Sequence, residues 1–238
     1  CVFYGHISTG ELHLRPILNL KSKEGRALFR QIAYETTLLV RKHRGTISGE
    51  HGDGRLRGEF IPVQYGERVY DLMRQVKKCW DSQAVLNPNK IIDTPPMDAF
   101  LRYQLEPQYP ETDTYFNWKA AFDECRVEGA TGAQSQAHAF ICSIEQCNGS
   151  GDCRKSTAMG GTMCPAFKAT GDETQTTRAR ANILREIISH CNPNTPLPSS
   201  LNEYTPLLKE VLGSCLACKG CKKDCPSGVD MTRLRDRK

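Results

Sequence analysis

The sequence lacks the features that define several common classes of protein. No apolar run approaches the roughly 20 residues that a membrane-spanning helix needs, so we expect no transmembrane segment. The 32 basic residues are dispersed among 27 acidic ones, without a basic stripe that carries aromatic residues, which argues against a nucleic-acid surface. Internal repeats and low-complexity tracts are absent too. What remains is an ordinary globular composition, 238 residues with 39% apolar residues, for which two domains are expected.

An initiator methionine is also missing. The chain begins at Cys1, within a predicted strand, and it ends directly after a cysteine motif. We therefore interpret it as part of a longer polypeptide, for which the lack of a signal peptide says nothing about export.

Cysteine, by contrast, is abundant and unevenly placed. Of the 12 cysteines, Cys1, Cys79 and Cys125 are scattered, and the rest follow residue 140. Clustering at the spacing of metal ligands favours metal binding in a reducing compartment over disulfides. We therefore expect a cytoplasmic protein, and association with a membrane through a partner stays open.

The C-terminal cysteine group has the spacing of an iron–sulfur motif. Cys215, Cys218, Cys221 and Cys225 follow the pattern C-x2-C-x2-C-x3-C-P. This is the bacterial ferredoxin run, in which the fourth cysteine ligates the other cluster of a pair. The sequence therefore predicts a protein that transfers electrons one at a time.

An earlier group fits the same template with one substitution. Cys147 and Cys153 occupy the first and third positions, Ser150 the second and Cys164 the fourth. Crosswise pairing then predicts one complete [4Fe–4S] cluster on Cys164, Cys215, Cys218 and Cys221. A second cluster on Cys147, Cys153 and Cys225 lacks one thiolate.

Three outcomes are open for that second cluster. It is [3Fe–4S], it uses the oxygen of Ser150, or Cys142 supplies the missing thiolate of a [4Fe–4S] cluster. Cys142 and Cys191 otherwise suit buried structural positions.

A histidine–carboxylate group lies near the start of the chain. His6 and His13 flank residues 8–10, and Glu50-His51 lies between glycines. Two imidazoles and a carboxylate are a familiar ligand set for Zn²⁺ or another divalent metal. Because His6 and His13 are an odd number of residues apart, they converge only if residues 8–10 form a turn or bulge. Hydrogen-bonded structural histidines are the alternative.

Periodicity predicts α/β structure first and mainly helical structure later. Strands are expected over 2–7 and 12–20, and helices over 26–44, 68–80, 177–190 and 206–212. Gly45 is the predicted cap of the first helix. The second helix should bury one stripe, formed by Val69, Leu72, Met73, Val76 and Trp80.

The last two helices lie between the cysteine groups, as in the α-helical ferredoxin of succinate dehydrogenase. Residues 93–140 are rich in proline at first and then small and polar, so we expect a linker that ends in loop or weak helix. The predicted domains are therefore 1–92, the linker, and an iron–sulfur domain over 141–238 that is truncated.

The two halves each resemble a known kind of protein. Residues 1–92 resemble the C-terminal part of the FAD-linked oxidases of the vanillyl-alcohol oxidase group, through YGHISTGELHLRP (4–16), GEHG (49–52) and LNPNK (86–90). The second half resembles the iron–sulfur part fused to such oxidases, through CNGSGDCR (147–154), MCP (163–165), TRARAN (177–182) and the run at 215–226. The combination is most similar to the large bacterial D-2-hydroxyglutarate dehydrogenase type.

The resemblance implies roles for particular residues. His6, His13 and Glu50 match the ligands of a divalent metal, zinc first, while His51 matches the catalytic base. Asn87 falls in the segment that contacts the flavin. Many members have Asp and Asn where this chain has Thr9 and Glu11, which leaves metal preference and substrate contacts open.

The implied activity is flavin-dependent oxidation of a D-2-hydroxy acid, of the 2-hydroxyglutarate or lactate type, to the 2-oxo acid. Electrons would pass from FAD through both clusters to a protein or quinone acceptor. Arg15, Arg55 and Arg57 are candidates for a second substrate carboxylate, with solvated surface arginines as the alternative. The rival function is an electron-transfer module without turnover, and this chain alone is not expected to be active.

Overall fold

The computed structural model describes residues 1–110, 116, 118, 132–192, 194–195 and 202–235. They form two compact units that divide between Pro107 and Gln108. Among these residues, no helix combines the length and the apolar character that crossing a bilayer demands.

The first unit contains a hairpin followed by helices. Strand β1 (Val2–His6) pairs antiparallel with β2 (Glu11–Arg15). The helices are α1 (Lys23–Lys42), α2 (Ile61–Tyr65), preceded by a 3-10 turn (Gly58–Phe60), and α3 (Glu67–Trp80). Strand β2 is shorter than predicted because Pro16 has no N–H for the ladder.

Both ends of helix α1 differ from the prediction because of local hydrogen bonds and backbone conformation. It begins earlier than the periodicity predicts because the Ser22 side chain accepts a hydrogen bond from Gly25 N at 3.0 Å. At the other end, the left-handed residue is Arg44 (φ 58°). Gly45, the predicted cap, instead donates its amide to Val40 O at 2.9 Å.

The predicted buried stripe of α3 is wrong. Four of its members are between 40% and 85% exposed: Val69, Leu72, Val76 and Trp80. Tyr70 is the buried residue instead, and its hydroxyl accepts a hydrogen bond from Asp93 N at 2.9 Å. Periodicity identified residues that share one face of the helix. It did not identify the face that other elements cover, because that depends on the tertiary structure.

The second unit is helical in its described part. Its helices are α4 (Gly132–Glu145), α5 (Pro165–Thr170), α6 (Thr177–His190), α7 (Thr205–Gly213), α8 (Gly220–Asp224) and α9 (Met231–Arg235). Single 3-10 turns lie at Asp152–Arg154, Thr157–Met159, Glu173–Gln175 and Asn202–Tyr204. Helix α6 has the predicted bounds, and α7 contains the predicted range 206–212.

Helix α4 lies mostly within the predicted linker, yet it packs on α6. Small Ala137 and Ala139 are buried on it, and Phe140 meets Trp118 edge to face at 5.3 Å between ring centroids. Much of the predicted linker, 111–115, 117 and 119–131, lies outside the described residues. The division into domains at residues 92 and 140 stays a prediction.

The core of the second unit contains several of the cysteines. It joins Leu184, Ile187 and Ile188 of α6 with Phe140, Ile141 and Ile144 of α4, and with Cys147, Cys153, Cys164, Cys191 and Cys221. The cysteine loops are therefore anchored on a packed helix pair.

The cap of α6 can be tested by substitution. Thr176 Oγ1 accepts a hydrogen bond from Ala179 N at 3.0 Å and donates one to Glu173 O at 2.7 Å. We expect Thr176→Ala to lower the free energy of unfolding by about 1–2 kcal/mol, because the buried helix end loses an acceptor. Denaturant unfolding followed by circular dichroism measures the loss. Thr176→Ser keeps the hydroxyl and is the matched control; equal losses in both variants would contradict capping.

Candidate metal centre and cysteine cavities

The hairpin places both predicted histidines on one face of the sheet. Its turn reverses the chain, and the register pairs His6 with Glu11 and Tyr4 with His13. Because directly opposed residues project to the same side, the turn cancels the odd spacing that would separate the histidines in one strand. Their ring centroids lie 5.2 Å apart. Gly5 permits this tight pairing, since a Cβ there would lie 2.1 Å from Glu11 O.

Glu50 completes the group from the loop after α1. Its Oε1 lies 3.5 Å from His6 Nε2 and 3.3 Å from His13 Nε2. With ligand bonds of about 2.1 Å, two ligands of a tetrahedral ion lie about 3.4 Å apart. The three side chains therefore have the mutual separations of ligands that share one divalent ion.

The surroundings of His13 also suit a metal ion. Its Nε2 is buried and has no hydrogen-bond partner among the described residues. A buried polar atom without a partner is costly, and a metal would satisfy it. Tyr4 stacks on the ring at 4.6 Å between centroids, which fixes the orientation of the imidazole. On this evidence, the donor set fits a divalent metal.

Glu11 adds a second carboxylate beside this group. Its Oε1 lies 3.6 Å from His13 Nε2. Gly49 makes the approach possible, because a Cβ at that position would lie 2.6 Å from Glu11 Cδ. The sequence marked Glu11 as a departure from the pattern beside the site, and the structure places its carboxylate next to the candidate ligands.

His51 lies next to the same carboxylate but faces solvent. Its Nε2 is 3.0 Å from Glu50 Oε1, and its side chain is 56% exposed. The loop turns at Gly52 (φ 72°), whose carbonyl accepts a hydrogen bond from Arg57 Nη1 at 2.9 Å. His51 is therefore placed where an imidazole can reach a ligand held by the three other side chains.

The predicted arginines have different surroundings. Arg15 shares the histidine face of the hairpin, with its guanidinium carbon 6.0 Å from the Tyr4 ring centroid. The Arg55 guanidinium lies over Phe100, and Arg57 holds the His51 loop. Only Arg15 among these three is on the face that carries the candidate ligands.

Asn87 and Asp53 lie outside the group around Glu50. Asn87 is in the exposed loop after α3, in the left-handed conformation (φ 47°). Burial raises the pKa of the Asp53 carboxyl, and the nearby Arg57 charge opposes that rise.

Four of the predicted cluster ligands line one cavity in the second unit. Its empty volume is about 320 Å³, including space open to solvent, and its cysteines are Cys164, Cys215, Cys218 and Cys221. Nearby non-glycine residues are left-handed, at Cys164 (φ 58°), Ala217 (φ 52°) and Lys219 (φ 61°). Each such residue costs on the order of 1–3 kcal/mol, and they concentrate at ligand sites.

The other predicted ligands line a second cavity, of about 270 Å³ by the same measure. Cys147, Cys153 and Cys225 contribute to its wall, together with Ser150. Cys142 is buried on α4 and is not among the described residues that line it. Both crosswise cysteine sets are thus brought together, and Ser150 lines the second cavity beside its three cysteines.

Unpartnered hydroxyl groups indicate that both cavities suit a sulfur-rich ligand. Thr232 Oγ1 belongs to a residue of the first cavity and Ser227 Oγ to one of the second, and each is buried without a hydrogen-bond partner among the described residues. Cluster sulfurs accept hydrogen bonds of this kind. The described cysteines are all free thiols. The residues present therefore fit two iron–sulfur clusters.

Burial raises the pKa of the Cys153 and Cys221 thiols above the ordinary value. Because iron binds the thiolate, loading these positions releases protons.

The first turn of α6 contributes two residues that the sequence did not single out. Thr177 lines both cavities, so the cavities share a wall. Arg180 lines the first cavity and is almost fully buried. In the sequence, only their position in the TRARAN segment (177–182) pointed to Thr177 and Arg180. That position did not indicate which cavity each residue lines.

Two family models match the chain. Residues 1–91 match the C-terminal domain of FAD linked oxidases, and residues 146–230 match the 4Fe-4S dicluster domain. The two matches lie along the chain in the predicted order, the oxidase domain first and the dicluster domain second.

Two bacterial relatives are similar to nearly the whole chain, and a plant relative is similar to part of it. D-2-hydroxyglutarate dehydrogenase of Escherichia coli (strain K12) is 28% identical over 98% of this chain and 24% of its own length. The Pantoea ananatis protein of that name is 27% identical over the same shares. A probable mitochondrial D-2-hydroxyglutarate dehydrogenase of Oryza sativa subsp. japonica is 36% identical over 37% of this chain and 15% of its own length. The chain spans about a quarter of the two bacterial relatives. No solved structure matches significantly.

Proposed function

We propose that this chain is the metal-binding and electron-transferring part of a flavoprotein that oxidises a D-2-hydroxy acid to the 2-oxo acid. The observation that carries the proposal is the presence, in one chain, of the Glu50 group and of two cysteine cavities. The names of the relatives favour D-2-hydroxyglutarate over D-lactate as substrate. A protein or quinone acceptor and a cytoplasmic location are further parts of the proposal.

The substrate would be held at the His6, His13 and Glu50 group. A divalent metal bound there, zinc first, would supply a Lewis acid that lowers the pKa of the substrate hydroxyl. His51 would accept the hydroxyl proton, because its imidazole lies beside Glu50 and faces solvent. General base help of this kind typically contributes roughly 10²–10⁴ in rate.

The flavin belongs to the same proposal. Bound FAD would supply the acceptor for the substrate hydride, and Asn87 would lie in the segment that contacts it. Arg15 would pair with the second carboxylate of 2-hydroxyglutarate, since it lies on the face that carries the candidate ligands.

Electrons would leave through the cysteine cavities. Clusters bound there would supply one-electron transfer, a [4Fe–4S] cluster on Cys164, Cys215, Cys218 and Cys221 and a second cluster on Cys147, Cys153 and Cys225. The shared wall at Thr177 supports transfer between them. Because Cys142 is not among the described residues that line this cavity and Ser150 supplies no thiolate, the second cluster would be [3Fe–4S].

The metal ligands can be tested without turnover. We expect Glu50→Gln to lose most of the bound divalent metal, because the amide keeps the shape of the side chain but removes the anionic ligand. Elemental analysis of the intact protein after dialysis measures the metal and identifies it. Glu67→Gln, at an exposed position of α3, is the control. Metal retained at the wild-type level in Glu50→Gln would contradict the site.

Substrate oxidation can be tested by anaerobic flavin reduction in the full-length protein. We expect D-2-hydroxyglutarate to bleach the flavin and His51→Asn to slow this about 10²–10⁴-fold, because the proton acceptor is lost. His43→Asn, at an exposed position after α1, should leave the rate unchanged. Bleaching by D-lactate instead would change the proposed substrate. Clusters that dithionite reduces, in a protein that no D-2-hydroxy acid bleaches, would indicate an electron-transfer module.

The type of the second cluster can be tested at position 150. An oxidised [3Fe–4S] cluster is paramagnetic, whereas an oxidised [4Fe–4S] cluster is not. We therefore expect an EPR signal from the oxidised wild-type protein, and its loss in Ser150→Cys, which adds a thiolate for a fourth iron. Cys142→Ala should keep the wild-type signal and iron content. If Cys142→Ala loses the cluster, Cys142 is a ligand and the assignment is wrong.

A further inference from the structure

Arg180 is a buried cation whose described protein partners include no carboxylate. The residue is 2% exposed. Its guanidinium donates to Val211 O through Nε at 2.9 Å, to Ser214 Oγ through Nη2 at 2.8 Å and to Gln175 Oε1 at 3.4 Å. These acceptors are neutral. Since arginine keeps its proton in proteins and a buried uncompensated charge is costly, a negative group is required nearby.

The remaining contact of Arg180 identifies where that negative group lies. Its Nη1 is 3.5 Å from the Sγ of Cys164, and both residues line the first cysteine cavity. A [4Fe–4S] cluster with four thiolate ligands carries a net charge of about −2 when oxidised and about −3 when reduced, so it is anionic in both states.

We propose that Arg180 is the fixed counter-charge of the cluster in the first cavity and raises its reduction potential by acting through Cys164. Reduction adds one negative charge to the cluster, so a nearby guanidinium stabilises the reduced state more than the oxidised state. Burial strengthens this effect because water does not screen it. A hydrogen bond from Arg180 to the cysteine sulfur also raises the reduction potential of the cluster. The inference rests on the proposed cluster assignment.

The other charged residues that line the two cavities do not substitute for Arg180. Lys219 also lines the first cavity, but it is exposed, so solvent and salt screen its charge. The second cavity is lined by the only partly buried Arg178 and by Asp152, which has the opposite charge. Arg180 therefore favours reduction of the first cluster specifically.

The test compares the potentials of both clusters in the full-length, cluster-loaded protein. Arg180→Met removes the charge and keeps most of the side-chain length, and Arg180→Lys keeps the charge. Arg185→Met removes a charge from the same helix at a residue that bonds Asn182 and Glu186 and lines neither cavity. A redox titration followed by EPR reports each cluster separately.

We expect Arg180→Met to lower the equilibrium constant for reduction of the first cluster about tenfold, which is about 59 mV for a one-electron couple. The second cluster should be unchanged in this variant, and both clusters should be unchanged in Arg185→Met. Arg180→Lys should retain most of the wild-type potential.

The opposing hypothesis is that Arg180 only clamps α6 to the end of α7. Thermal stability would then fall in Arg180→Met while the first cluster keeps its wild-type potential, and this result would overturn the proposal. If Arg180→Met fails to retain clusters, Arg180→Lys decides, because it breaks the clamp geometry but keeps the charge. If Arg180→Lys also lowers the equilibrium constant for reduction of the first cluster about tenfold, the role of Arg180 as a counter-charge is contradicted. Absence of any [4Fe–4S] signal in the wild-type protein would overturn the cluster assignment as well.

Discussion

The burial of α6 is the constraint on which the second unit depends. Its apolar side chains build the core with α4, and its first turn contributes to both cysteine cavities. The cysteine loops themselves are short and contain left-handed residues, so they cannot hold their shape without a packed support. The helix thus couples the free energy of folding to the placement of the thiols.

In the first unit, a hairpin positions the candidate metal-binding side chains. Its strands bring two histidines to one face, while the loop after α1 supplies Glu50 and His51. Candidate ligands from distant parts of the chain therefore lie within a few ångströms of one another. Gly5 and Gly49 matter here because a side chain at either position would collide with Glu11.

Electrostatic complementarity distinguishes the two kinds of site. Carboxylates surround the histidines, which suits a cation, whereas a buried guanidinium lies against a cavity of thiols, which suits an anionic cluster. The unpartnered atoms at His13, Ser227 and Thr232 are found at these same places. A bound cofactor would satisfy these three atoms, whereas the other three unpartnered atoms among the described residues, at Asp53, Gln64 and Thr94, lie outside the candidate sites.

Much about this protein was determined by the sequence alone. The spacing of the cysteines predicted the sets that line the two cavities, and periodicity predicted α6, because both depend on neighbours along the chain. The tertiary structure decided what depends on distant contacts. Residues 69–80 present their apolar stripe to solvent, α4 forms within the predicted linker, and Ser150 rather than Cys142 lines the second cavity. The tertiary structure also decided the contact of Arg180 with Cys164, because burial and charge pairing arise only when the helices pack.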